Sequence, residues 1–334
     1  MARLRRSDCS AAGIHRRGRG RGFSFEDAEG TTVTDEETLE RIRALAIPPA
    51  WKEVWICPDP VGHIQATGFD EAGRKQYRYH DRWDRRRASR KYEAMREFAG
   101  SLPKLRRVVR RDIGLEGMPR ERALATAVRL LDLGFFRIGS EEYAEANESF
   151  GLATIRREHV HRDGEEIVFD FPAKSNRRRI QAIGDEAAIT ALEAMRRRRG
   201  GPEDLLAWKE GRRWRDLRSD DINDYIQTAI GEGFSAKDFR TWSGTLLAAA
   251  ALAGEEKPAS DAAAKRTISR AVKTVATALG NTPAVCRRSY IDPRIFDRYR
   301  DGQTIEVGRR AASEGRMSER TRQRIEREVL ALID

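Results

Sequence analysis

The sequence predicts an α+β protein, in which a small β-rich N-terminal domain precedes a larger, mainly helical domain that carries a short antiparallel sheet. Three observations predict it. Alternating residues and turn signals crowd positions 23–83. A helical periodicity takes over at Trp83, and a two-strand interlude interrupts the helices between residues 163 and 183. A chain of 334 residues suggests two domains at about 150 residues each. The expected boundaries are a basic flexible arm over 1–22, the β-rich domain over 23–84 and the helical domain over 85–334.

The elements follow in order. Arg16-Arg17-Gly18-Arg19-Gly20-Arg21-Gly22 has nothing apolar to bury, so the arm is expected to stay flexible. Phe23, Phe25 and Val33 flank turn residues, and Thr34-Asp35-Glu36-Glu37 reads as a capping box. The helix behind it runs through Leu39, Ile42 and Leu45 and stops at Pro48-Pro49. Residues 51–56 and 63–67 read as short strands joined by the turn Pro58-Asp59-Pro60-Val61-Gly62, and Gln76-Tyr77-Arg78-Tyr79 alternates like a third. Over 82–111 a stripe of Tyr92, Met95, Phe98, Leu102 and Leu105 predicts a helix broken near 100–103. Pro119 opens a helix through Leu124, Val128 and Leu131. Asp163-Gly164 signals a hairpin. Residues 166–171 alternate and 177–183 return, with Lys174 in the turn between them. Further helices start near Asp185, Asp220, Trp242, Asp261 and Ser318.

Charge narrows the partner. Basic residues number 64 against 53 acidic, a net +11, and 54 of the basic ones are Arg. The planar Arg fork matches phosphate, so a polyanion is the expected ligand. No apolar run approaches the roughly 20 residues of a membrane span, and no apolar signal segment follows Met1-Ala2-Arg3-Leu4-Arg5-Arg6. Cys9, Cys57 and Cys286 are odd in number and far apart, the histidines lack HExxH spacing, and there is no GxxxxGK[ST] loop. A cytoplasmic protein that needs no metal or other cofactor is expected.

Five segments could carry chemistry. Arg137, in Gly134-Phe135-Phe136-Arg137-Ile138-Gly139-Ser140-Glu141-Glu142-Tyr143, lies among apolar residues, so it is either ion-paired or aimed at an anion. Lys174 occupies a turn where a solvated Lys is the ordinary reading. Arg240, in Lys237-Asp238-Phe239-Arg240-Thr241-Trp242, is flanked by aromatics. Asn281, in Leu279-Gly280-Asn281-Thr282-Pro283, lies between two helices and reads either as a cap or as a ligand-binding amide. Tyr290, in Arg287-Arg288-Ser289-Tyr290-Ile291-Asp292-Pro293, stands near a helix end, where Tyr often packs half-buried.

In this order the five segments resemble the type IB DNA topoisomerases, in the poxvirus-type branch with its bacterial members. The resemblance covers nearly the whole chain beyond the arm. It implies a clamp around duplex DNA, in which Tyr290 is the nucleophile and forms a 3′-phosphotyrosyl intermediate. Arg137 and Arg240 would hold the phosphate and Lys174 would be the general acid. Asn281 would donate a hydrogen bond where poxvirus members have His. Supercoiled DNA would be relaxed without ATP or metal, by a monomer with no obligatory protein partner, at the bacterial nucleoid. Gln76, Tyr77 and Tyr79 resemble a DNA-contacting stretch, and the basic stretches Arg85-Arg86-Arg87, Arg106-Arg107 with Arg110-Arg111, and Arg177-Arg178-Arg179 are expected to hold phosphates. A tyrosine recombinase shares the chemistry but favours His-x-x-Arg where this chain has Lys237-Asp238-Phe239-Arg240. A non-catalytic DNA-binding protein would not require Tyr290.

Overall fold

The computed structural model describes residues 3–20, 22–139, 141–142, 144, 148–306 and 319–334. Arg21, Ser140, Tyr143 and Ser318 lie outside the described residues, as does the Ser175 side chain. The chain divides into two compact units, Met1–Glu93 and Ala94–Asp334. Among the described residues no helix is long and apolar enough to cross a membrane.

The first unit is built on an antiparallel sheet of order β2-β1-β3-β4-β5, from β1 (Ile14–Arg19), β2 (Gly22–Glu26), β3 (Lys52–Ile56), β4 (Ile64–Phe69) and β5 (Lys75–Tyr79). Helix α1 (Glu36–Ala44) places Ile42 in a core with Ile14, Val54, Ile56 and Ala66. Its cap is Asp35, whose carboxylate accepts from the Thr38 N–H at 2.9 Å, and not a box starting at Thr34.

The expected flexible arm is corrected here. Residues 14–19 are β1, paired in register with β2 along its length and with β3 at Ile14 and His15. Ile14 supplies the apolar anchor, and Arg16 places its guanidinium on the carbonyls of Pro48 at 3.1 Å and Pro49 at 3.2 Å. Upstream, Arg5 exchanges backbone hydrogen bonds with Val61 and His63, both 2.9 Å.

Helix α2 (Asp81–Ile113) is continuous through Gly100 and Pro103, against the expected break. An interior Pro costs a helix about 3 kcal/mol, but Phe98, Leu102 and Leu105 are packed on both sides of it. The second unit also contains α3 (Arg120–Gly134), α4 (Glu186–Arg196), α5 (Ser219–Ile230), α6 (Ala236–Leu252), α7 (Asp261–Leu279), α8 (Pro283–Ser289), α9 (Arg294–Arg300) and α10 (Glu319–Leu332). Its core joins Phe98 and Leu105 of α2, Leu124 and Leu131 of α3, Trp242 of α6, Ile268 and Val275 of α7 and Val329 of α10. A second sheet, β6 (Val160–Asp163), β7 (Glu166–Ala173) and β8 (Arg177–Ile183), is antiparallel in that order. Strand β7 buries Ile167, Phe169 and Phe171 on one face, as its alternation predicts. A further pair, β9 (Ala207–Glu210) with β10 (Arg213–Asp216), has no clear signal in its short, charged sequence.

Arg106 is also corrected. It lies beside Leu105 on the buried stripe of α2, 8% exposed. Its guanidinium binds Asp132 at 2.8 and 3.0 Å and Glu326 at 2.7 Å, tying α2 to α3 and α10. All its charge is used within the protein, so it is not a phosphate contact. Arg198, in the run Arg196-Arg197-Arg198-Arg199, is likewise buried, on the carbonyls of Leu205 and Pro202 at 2.9 and 2.8 Å.

Candidate active site

The C-terminal end of α7 organises the site. A helix leaves its last carbonyls without intrahelical donors, and here the carbonyls of residues 276–280 each find one. Gly280 adopts the left-handed conformation, φ 60°, and its N–H reaches the Thr277 carbonyl at 3.2 Å. The Asn281 N–H returns to the Ala276 carbonyl at 3.0 Å, which completes a Schellman closure. Guanidinium groups take the next carbonyls. Arg179 Nη2 donates to Ala278 at 2.9 Å, Arg240 Nη2 to Leu279 at 2.8 Å and Arg137 Nη2 to Gly280 at 2.9 Å. The negative end of a helix dipole favours each nearby cation by about 0.3–1 kcal/mol.

Separate elements deliver these side chains. Arg240 is in the second turn of α6 between Phe239 and Trp242, 3% exposed. It donates as well to the carbonyl of Phe135, which ends α3 in the left-handed region at φ 54°. Arg137 follows two residues later. Its backbone is held by the Leu152 N–H on its own carbonyl at 2.7 Å and by the Ala153 N–H on Ile138 at 2.8 Å. Its guanidinium also donates to Asn281 Oδ1. Tyr290 ends α8, its ring centroid 5.3 Å from the Arg240 guanidinium. The Tyr290 main chain rests on α6 at Gly244, where a Cβ would come 2.4 Å from the Tyr290 carbonyl oxygen.

The electrostatics are those of an incomplete ion pair. Burial, then the neighbouring Arg137, pushes the Arg179 guanidinium down to about 10. Burial and Arg137 do the same to Arg240, also to about 10, with partial relief from Tyr290. Among the described residues no carboxylate pairs with Arg179 or Arg240. Arg179 Nε, Arg240 Nε and Asn281 Nδ2 are buried donors without an acceptor. Acceptor-less Nε atoms occur also at Arg78, Arg122 and Arg198, but here three acceptor-less donors gather at one helix end beside Tyr290 with no carboxylate, an arrangement that suits an anion with several acceptor oxygens.

Of the residues singled out from sequence, Arg137, Arg240, Asn281 and Tyr290 come together. Lys174 stands exposed on the 3₁₀ turn Lys174–Asn176 between β7 and β8. Asn281 is not a cap: Thr282 caps α8, its side chain accepting from the Val285 N–H. The sequence marks Arg179 only as one of a basic stretch on DNA and gives no sign of Gly244. The alternation of β8 sets Arg179 apart from Arg178, which is exposed and bound to Asp170 at 2.8 and 2.5 Å. Arg177 and Arg107 are exposed.

In the first unit, Tyr77 and Tyr79 share a face of β5 with rings stacked at 6.0 Å and 18°. The Arg87 guanidinium lies 5.4 Å from the Tyr79 ring centroid, and Tyr77 is 43% exposed. Gln76, on the other face, donates to Asp70 at 3.0 Å. Arg85 and Arg86 are exposed on α2. Among the described residues no group of three His, Cys, Asp or Glu side chains could hold a metal ion.

A tyrosine ring beside partly or fully buried arginines that no carboxylate cancels, in a strongly basic chain, is an arrangement suited to holding a phosphate. Comparison with known proteins narrows the class. Residues 78–308 match the family described as eukaryotic DNA topoisomerase I, catalytic core, and residues 22–70 match the bacterial DNA topoisomerase IB N-terminal domain. The DNA topoisomerase 1B of Acanthamoeba polyphaga mimivirus is 32% identical over 275 residues, 80% of this chain and 81% of the relative. That of vaccinia virus (strain Copenhagen) is 21% identical over 295 residues, 86% of this chain and 90% of the relative. The DNA topoisomerase 1 of Schizosaccharomyces pombe is 28% identical over 156 residues, 46% of this chain and 18% of the relative. The chain belongs to the DNA topoisomerase IB family. It is an isomerase that acts on DNA.

Proposed function

We propose that this chain relaxes supercoiled duplex DNA by cutting and resealing one strand through a 3′-phosphotyrosyl intermediate at Tyr290. The Tyr290 oxygen bonds to the scissile phosphorus and the bond to the 5′ oxygen breaks. The phenol proton passes to solvent, and the Lys174 ammonium supplies a proton to the departing oxygen. A phenol, with a reference pKa near 10, is itself a good leaving group, so the ester reverses when the 5′ hydroxyl returns. The energy of the broken bond is kept in the ester, and resealing therefore requires neither ATP nor metal. Charge builds on the non-bridging oxygens in the transition state. Arg137 and Arg240 meet it, and Asn281 Nδ2 adds a neutral donor.

The observation that carries this reading is the set of buried, acceptor-less donors on the end of α7 beside the Tyr290 ring. DNA docking is assigned to Gln76, Tyr77 and Tyr79 together with Arg85, Arg86, Arg107, Arg177 and Arg178, through phosphate and groove contacts. The enzyme works as a monomeric clamp on nucleoid DNA in the cytoplasm.

Incubating supercoiled plasmid with the protein in EDTA and without nucleotide tests the reading. Relaxed topoisomers are expected. Retardation without relaxation would reduce the chain to a DNA-binding protein, and strand exchange between two duplexes would make it a recombinase.

A further inference from the structure

Arg179 has no role in the five-residue set, yet it shares the helix end with two of its members. It lies on β8 five residues after Lys174. Its Nη2 donates to Gln181 Oε1 at 3.0 Å and to the Ala278 carbonyl at 2.9 Å. Its Nη1 is packed so closely that a Cβ on Gly280 would meet it at 2.9 Å, and its Nε is buried without an acceptor. Arg106 is neutralised by Asp132 and Glu326, and Arg198, buried on the carbonyls of Pro202 and Leu205, has the Asp216 and Asp204 carboxylates acting on its charge. Among the described residues Arg179 has no such carboxylate. Its charge is therefore not cancelled by the described residues. The same side chain fastens the strand that follows Lys174 to the helix end on which Arg137 and Arg240 are held.

We propose that Arg179 is a positioning residue for strand cleavage: it pins the Lys174-bearing hairpin to the last turn of α7 and adds a third positive charge to the pocket in which Arg137 and Arg240 meet the scissile phosphate. The proposal rests on the assignment of Tyr290 as the cleaving nucleophile. It separates Arg179 from the exposed Arg177 and Arg178, which act on DNA docking alone.

Single-turnover cleavage of a short duplex whose cut end diffuses away tests it, with either a phosphodiester or a neutral methylphosphonate at the scissile position. The variants are Arg179→Lys, Arg179→Gln and Arg179→Met, each checked by thermal melting. On the phosphodiester, Arg179→Gln should be slower than wild type by about tenfold or more and Arg179→Lys by less than Arg179→Gln, since the lysine keeps the charge but not the fork that bridges Ala278 and Gln181. On the methylphosphonate the Arg179→Gln deficit should shrink to about threefold, because no anion remains for the missing charge to stabilise and only the loosened hairpin is left to slow the reaction. Equal slowing on both substrates, no slowing on either, or failure of both neutral variants to fold would each overturn the proposal. Wild-type protein on the phosphodiester separates the two levels of the argument. If it forms no adduct, the assignment of Tyr290 fails. If it does and Arg179→Gln matches it, the assignment stands and the role of Arg179 is lost.

Discussion

Arg240 is buried without a carboxylate, held between the Leu279 and Phe135 carbonyls with the Tyr290 ring beside it. Neutral carbonyls fix its direction without cancelling its charge, which is what the proposed hold on the scissile phosphate requires. Asn281 is arranged to the same end. Its Oδ1 is taken by Arg137 and its Nδ2 is left as a donor. Asn281→Asp should turn this polar contact into an ion pair that neutralises Arg137 and places an anion beside the phosphate. The variant should melt at or above the wild-type temperature yet cleave DNA slower by about 100-fold, the usual scale for losing one such donor. Wild-type cleavage by this variant would return Asn281 to a structural role. Lys174 is separable by the leaving group. With sulfur in place of the bridging 5′ oxygen no proton is needed, so Lys174→Ala should cleave that substrate at close to the wild-type rate and normal DNA slowly. Equal slowing on both would make Lys174 a phosphate contact. At this scale Arg137 and Arg240 stand out in the sequence because each follows a Phe, and the resemblance to the family gives them their expected role. The place of Arg179 was not legible, because Arg177 shares its strand face and is exposed, and only the fold brings the end of α7 over Arg179.

The element that matters most is α7, whose last carbonyls gather side chains from β8, from α6 and from the segment after α3. Its stop was readable in Leu279-Gly280, since Gly is the residue that closes a helix in the left-handed conformation. The guests on those carbonyls were not readable, because they arrive from as far as 143 residues away in sequence. Helix α6 carries a second hidden requirement. A Cβ at Gly244 would lie 2.4 Å from the Tyr290 carbonyl oxygen and 3.1 Å from the Tyr290 Cβ, so the main chain that bears the proposed nucleophile would have to move. Gly244→Ala should lower the rate of adduct formation by about 100-fold, the cost of a displacement of about 1 Å in a reacting group. An unchanged rate would mean that Tyr290 is not seated where α6 places it. Among the other elements, strand β1 escaped the sequence because one apolar residue, Ile14, suffices to anchor it once β2 and β3 supply hydrogen bonds. The helix α2 passes Pro103 because packing of Leu102 and Leu105 outweighs a local propensity.

Over the whole molecule, the net +11 charge read from the sequence points to a polyanion, but not every arginine in it faces one. The network of Arg106, Asp132, Glu326 and Arg322 uses its charges to join α2, α3 and α10. Burial alone would raise the Asp132 carboxyl. Arg322 and Arg106 outweigh burial and hold it down at about 2. A depressed carboxyl stabilises the fold above its unfolded value of about 4 and loses that contribution as the pH falls towards the folded value. Asp132→Asn should therefore cost about 3 kcal/mol or more at pH 7 by urea unfolding, and the difference from wild type should shrink between about pH 4 and pH 2. A gap that stays constant across that range would show that the Asp132 charge contributes nothing.

The central claim is that Tyr290 holds the cut strand by its 3′ phosphate, and mapping the covalent adduct tests it most directly. Wild-type protein is trapped on a duplex that cannot be resealed, digested with trypsin and sequenced by mass spectrometry. The account predicts a nucleotide joined through its 3′ phosphate to the peptide containing Tyr290, and no adduct from Tyr290→Phe, which should still bind the duplex. An adduct on another residue, one joined through a 5′ phosphate, or one formed by the Phe variant would contradict it.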